Sequence, residues 1–133
     1  MLIPDERQFM KRTGSIFDNQ RKRAAKDFQR LGYTLAELRQ KARVASNCPY
    51  CGVCLTTESL SFDHRKPVAA GGEWTLENLS VTCLRCNQIK SVLCHESMMR
   101  FVAFLDTLSL PERESITRRL RAGAVRIFAK GKR

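Results

Sequence analysis

Two pairs of cysteines constrain this chain more than any other feature. Cys48-Pro49-Tyr50-Cys51-Gly52 and Cys83-Leu84-Arg85-Cys86 form two CxxC knuckles with 31 residues between them. The two-residue gap lets both sulfurs of a pair face one ion, and Gly52 suits the tight turn that follows. Two such pairs supply the four thiolates of a tetrahedral zinc site. A site closed by four thiolates keeps no open coordination position, so one structural Zn²⁺ per chain is expected to hold the fold and do no chemistry. The separation exceeds that of an ordinary zinc ribbon, so the insert between the knuckles is expected to have work of its own. Cys54 and Cys94 are left over and read as buried thiols rather than ligands.

Charge surrounds this centre. Of the 133 residues, 24 are Lys or Arg and 13 are Asp or Glu, a net charge of +11. Residues 1–47 carry 11 basic and 5 acidic side chains, residues 48–94 carry 4 of each, and residues 95–133 carry 9 and 4. A neutral, cysteine-rich core (48–94) is thus flanked by a basic helical arm (1–47) and by C-terminal helices with a basic tail (95–133), one compact domain overall. Such an imbalance calls for an acidic partner, nucleic acid first. No run of about 18 apolar residues exists, so no membrane partner is expected. Met1-Leu2-Ile3-Pro4-Asp5-Glu6 lacks the basic and apolar regions of a secretory signal, which makes the cytoplasm the expected compartment. In that reducing setting clustered cysteines argue for metal before disulfides.

The apolar spacing predicts a basic helix over Ile16–Leu31, with Phe17, Ala24, Ala25, Phe28 and Leu31 on one side and Gly32 ending it. Thr34 with Glu37 forms a capping-box pattern opening a second helix, striped by Leu35, Leu38, Ala42 and Ala45. Leu60-Ser61-Phe62-Asp63-His64 alternates like a half-buried strand, Pro67 ends it, Gly71-Gly72 marks a turn, and Leu79-Ser80-Val81-Thr82 reads as a second strand. A helix follows from Cys83 through Asn87, Lys90 and Ser91. Another, buried, runs through Met98, Phe101, Val102 and Leu105. A last one has Pro111 in its first turn, carries Ile116 and Leu120, and stops at Gly123, leaving a frayed tail over 126–133.

In the insert stand Asp63-His64, Pro67, Gly71-Gly72 and Glu77-Asn78-Leu79, with Cys86-Asn87 and Lys90 at its end. In that order, between two CxxC knuckles, these residues resemble the HNH endonuclease family in its Asn-ending variant, over about residues 48–91. The resemblance implies an α+β fold: a ββα-metal core of two strands and a helix around one catalytic ion, stapled by the four-cysteine zinc site and flanked by the N- and C-terminal basic helices. Carried over by position, it implies His64 as the general base, Asp63 and Asn87 as ligands of the catalytic ion, and Asn78 as the residue that orients the His loop. Arg65 and Lys66 stand where relatives are often apolar, which turns that strand edge toward phosphate.

The residue types suit those roles. Asp63 and Asn87 offer oxygens, which favour Mg²⁺ or Mn²⁺ over zinc. A neutral imidazole with its ordinary pKa near ~6.5 can take a proton from water at neutral pH. Lys90, three residues past Asn87, is expected at a neighbouring phosphate, and Arg21, Lys22 and Arg23 are expected to contact the DNA backbone. No small-molecule cofactor is expected. His95-Glu96 reads as a surface pair, and Trp74 as a plug over the loop. The leading function is a metal-dependent endonuclease acting on DNA, which is expected to be double-stranded; the alternative is a zinc-dependent nucleic-acid-binding module without catalysis.

Overall fold

The computed structural model describes residues 1–130, with side chains as far as residue 120. Five α-helices and one two-stranded sheet follow in the order α1 (Glu6–Lys26), α2 (Leu35–Val44), β1 (Leu60–His64), β2 (Leu79–Cys83), α3 (Leu84–Lys90), α4 (His95–Asp106) and α5 (Leu110–Lys130), with a single 3-10 turn at Val68–Ala70 between the strands. Among the described residues, no helix is long and apolar enough to cross a membrane.

Helix α1 starts ten residues before the Ile16 that periodicity suggests. Asp5 caps it, accepting from the backbone N–H of Arg7 and Gln8, so two of the orphan donors at its start are satisfied. The helix passes Thr13 because that hydroxyl donates back to the Phe9 carbonyl at 2.8 Å and accepts from Arg39 Nε at 3.0 Å. It ends at Lys26 rather than at Gly32, the chain turning through Phe28 at φ +57°. Gly32 instead donates its N–H to the Trp74 carbonyl at 2.7 Å, tying the arm to the insert.

The Thr34–Glu37 capping box forms as expected, and α2 buries Leu38 and Ala42. Tyr33 donates to Gln20 at 2.9 Å and Arg43 pairs with Glu6, so α1 and α2 pack as one unit. Their buried Phe9, Leu38 and Ala42 join Leu55, Leu60, Phe62, Leu79, Val81 and Met98 in a single core.

β1 and β2 pair antiparallel, from Leu60 opposite Cys83 to His64 opposite Leu79. The alternation in β1 suggests a half-buried strand, yet all five of its residues are buried, as are all five of β2. The reason is that Phe62 joins the core while α3 covers Ser61 and Asp63 on the other face. α4 is less buried than its apolar spacing suggests, with only Met98 fully inside and Phe101 and Val102 packed at the core's edge. α5 does not stop at Gly123 but continues to Lys130. A lone glycine costs a helix about 1 kcal/mol relative to alanine, too little to end it among good helix formers. The remaining tail, 131–133, lies outside the described residues.

Candidate metal centres and active-site cavity

The two knuckles come together as their spacing demands. Sγ atoms of Cys48, Cys51, Cys83 and Cys86 all lie within 4.8 Å of one another, and those of Cys51 and Cys83 are 3.7 Å apart. A tetrahedron with Zn–S bonds near 2.3 Å has edges of about 3.8 Å, so the donor set fits zinc. Local geometry prepares each half. Gly52 sits at φ +73°, a conformation that glycine adopts without strain, and its N–H donates to the Cys48 carbonyl at 2.9 Å. Across the site, the Cys86 N–H donates to Cys83 Sγ at 3.4 Å at the start of α3. The hydrogen bond with Cys86 draws the Cys48 thiol down to about 4, and the same bond pushes Cys86 up. Four thiolates so close need a dication between them. Cys54 and Cys94 are not part of the cluster; neither is buried as expected, Cys54 being exposed and Cys94 half-buried.

Beside this staple, the end of β1 and the face of α3 enclose a cavity of about 170 Å³ lined by Asp63, His64, Asn87, Phe62, Val68 and Arg23, among others. The pairing of β1 with β2 and the packing of α3 on it bring Asp63, His64 and Asn87 to one wall. Asn87 Nδ2 donates to Ser61 Oγ at 2.6 Å and to the Phe62 carbonyl at 3.2 Å, so the amide oxygen faces the other way. His64 stacks edge-to-face on Trp74, ring centroids 4.5 Å apart, and Trp74 is buried as the plug it was expected to be. Nε2 of His64 is buried without a hydrogen-bond partner among the described residues. Burial, then the positive charges of Arg23 and Lys90, push the His64 imidazole down to about 4, well below the ~6.5 of an exposed ring.

Asn78 fastens the loop that leaves His64. Its Oδ1 accepts from the Lys66 N–H at 2.9 Å, its Nδ2 donates to the carbonyls of Lys66 and Glu73 at 3.0 Å each, and its carbonyl accepts from the Arg65 N–H at 2.7 Å. Gly72 makes the turn possible: a Cβ there would stand 1.9 Å from the Lys66 carbonyl oxygen. Arg65 and Lys66 are exposed beyond this loop, and Arg21, Lys22 and Arg23 are exposed along α1.

Lys90 departs from expectation. Instead of facing a phosphate it has no solvent exposure, and Nζ donates to Asp63 Oδ1 at 3.0 Å and to the His64 carbonyl at 2.8 Å. A short helix packed flat on the hairpin turns that face inward, where the spacing alone suggested outward. Burial raises the Asp63 carboxyl, against the opposing pull of Lys90 and of Tyr50. The second Asp63 oxygen accepts from the Tyr50 hydroxyl at 3.2 Å, and that hydroxyl lies 3.0 Å from His95 Nδ1. His95 is therefore not a surface pair with Glu96 but the outer member of an Asp63–Tyr50–His95 chain. Tyr50 and His95 were legible only as a knuckle residue and a helix start, because contacts spanning 13 and 45 residues leave no local signal.

Residues 48–92 match the family model of the HNH endonucleases, a span that runs from the first knuckle through α3 and leaves out α1, α2, α4 and α5. No curated protein matches the chain.

Proposed function

We propose that this chain is a divalent-metal-dependent endonuclease that hydrolyses phosphodiester bonds of double-stranded DNA. The observation that carries the reading is the convergence of Asp63, His64 and Asn87 on one cavity, inside the segment that matches the HNH endonucleases. The oxygens of Asp63 and Asn87 are hard donors suited to Mg²⁺ or Mn²⁺. Each Asp63 oxygen already accepts one hydrogen bond and keeps a second lone pair for an ion. When bound, that ion neutralises charge developing on the phosphoryl and leaving oxygens.

The protein's own groups do the rest. With Nε2 sealed, His64 takes the proton of the attacking water at Nδ1, and its depressed pKa keeps the ring neutral at physiological pH. Asn78 acts as a positioning residue by holding the loop behind His64. Lys90 and Tyr50 hold the Asp63 carboxylate in place. The four-thiolate zinc ties the Cys48–Cys51 turn to the junction of β2 and α3 and takes no part in the reaction. Arg65, Lys66, Arg21 and Lys22 contact the backbone of the duplex without reading its sequence.

Plasmid relaxation tests the reading. Zinc-loaded protein should nick supercoiled DNA when Mg²⁺ or Mn²⁺ is added and not in its absence. Salt-sensitive duplex binding without any cleavage in either metal would make the chain a nucleic-acid-binding module instead.

A further inference from the structure

Arg23 is the one side chain of the cavity wall that comes from α1, outside the segment matched by the family. Its guanidinium carbon lies 5.4 Å from the centroid of the Trp74 ring, and Trp74 in turn meets His64 edge-to-face. A guanidinium resting on an aromatic face is held by its π-surface, which leaves its N–H donors unspent. Other arginines of the arm are engaged: Arg21 pairs with Asp18 at 3.5 Å, Arg43 pairs with Glu6, and Arg39 donates to Thr13 and to the Met10 carbonyl. Among the described residues, no carboxylate lies in ion-pair contact with Arg23. A fixed, uncompensated fork of donors therefore stands at the cavity that holds His64 and Asn87.

We propose that Arg23 binds the non-bridging oxygens of the phosphate that reacts, and is thus a catalytic residue rather than one more contact to the DNA backbone. The inference rests on the endonuclease reading of the same cavity. A planar fork of donors matches the paired oxygens of a phosphate, and Arg23 reaches the cavity wall from α1 while Asn87 reaches it from α3. The Gly32–Trp74 backbone hydrogen bond and the Arg23–Trp74 stack together fix the arm against the insert, so the arginine is positioned before the substrate arrives.

Two measurements test this. In plasmid cleavage, Arg23→Ala should lower kcat by about 10²-fold, the usual loss of one preorganised donor at developing charge, while duplex affinity changes only a few-fold. Arg23→Lys should recover only part of kcat, since an ammonium cannot bind two oxygens at once. Arg7→Ala, at the far end of α1, should match the parent. Separately from any cleavage, inorganic phosphate added to the zinc-loaded protein should shift the His64 ring resonances in NMR spectra of the parent and not of Arg23→Ala. A phosphate response that depends on Arg23 in a protein that never cuts would keep the anion site and refute the endonuclease reading. Normal cleavage by Arg23→Ala, or a phosphate response unchanged by it, would overturn the role of Arg23.

Discussion

Lys90 Nζ and Asp63 Oδ1 are 3.0 Å apart with 0% and 4% of their side chains exposed, a buried ion pair at the junction of β1 and α3. The partners lie 27 residues apart in the chain, and the same ammonium also holds the His64 carbonyl. Such pairs add little net stability over a well-packed apolar pair, but removing one partner strands the other charge, at a cost of about 3–5 kcal/mol. Lys90→Met should therefore destabilise zinc-loaded protein by an amount in that range, measured by urea unfolding. Asp63→Ala should do likewise, so its loss of activity must be read against its stability. A Lys90→Met protein as stable as the parent would show that the pair does not form.

One zinc per chain should be found by elemental analysis, and a strong chelator should unfold the protein cooperatively. Cys48→Ser, Cys51→Ser, Cys83→Ser and Cys86→Ser should each reproduce that loss. Cys54→Ser and Cys94→Ser should be mild, because neither thiol belongs to the cluster. Folded protein without zinc would contradict the fit of the four sulfurs.

The acid side of the pH profile follows from the depressed pKa of His64. Its folded value of about 4 lies below the ~6.5 of the unfolded chain, so between those values the unfolded state binds the extra proton. This group's contribution to stability is therefore complete above about pH 6.5 and is lost as pH falls toward 4. NMR titration of zinc-loaded protein without added Mg²⁺ should find no midpoint for the His64 ring above pH 5.5. A midpoint near 6.5 would mean that the ring is solvated and that Arg23 and Lys90 do not act on it.

The turn between the strands gives a steric test. Gly72→Ala would drive a Cβ into the Lys66 carbonyl, a backbone atom that cannot swing aside, so the loop held by Asn78 must move. Cleavage should fall by at least 10-fold with the zinc content unchanged. Parent activity in that variant would show that the loop tolerates displacement.

The knuckles, the strand pair and the capping box were legible because each is written in spacings of two to four residues, which local geometry enforces. Asn78 was legible only through the resemblance: its four bonds to the 65–73 loop depend on the hairpin already being closed. The inward turn of Lys90 and the Asp63–Tyr50–His95 chain were hidden, since an exposed and a buried lysine look alike in a seven-residue helix. Helix α1 was read as starting too late and ending too late for a related reason. Thr13-Gly14-Ser15 resembles a break until Arg39 of α2 is seen bonding Thr13, and Gly32 resembles a cap until its N–H is seen on Trp74.

The central claim is that His64 removes the proton from water at a cavity shared with Asp63 and Asn87. A plasmid-cleavage time course comparing the parent with His64→Ala, both zinc-loaded and shown to be folded by thermal melting, tests it most directly. Loss of a general base typically costs ~10²–10⁴ in rate, and no excess of Mg²⁺ or Mn²⁺ should restore it, whereas added metal should partly rescue Asn87→Ala. Duplex binding by His64→Ala should match the parent. A folded His64→Ala protein that cuts at the parent rate would contradict the account.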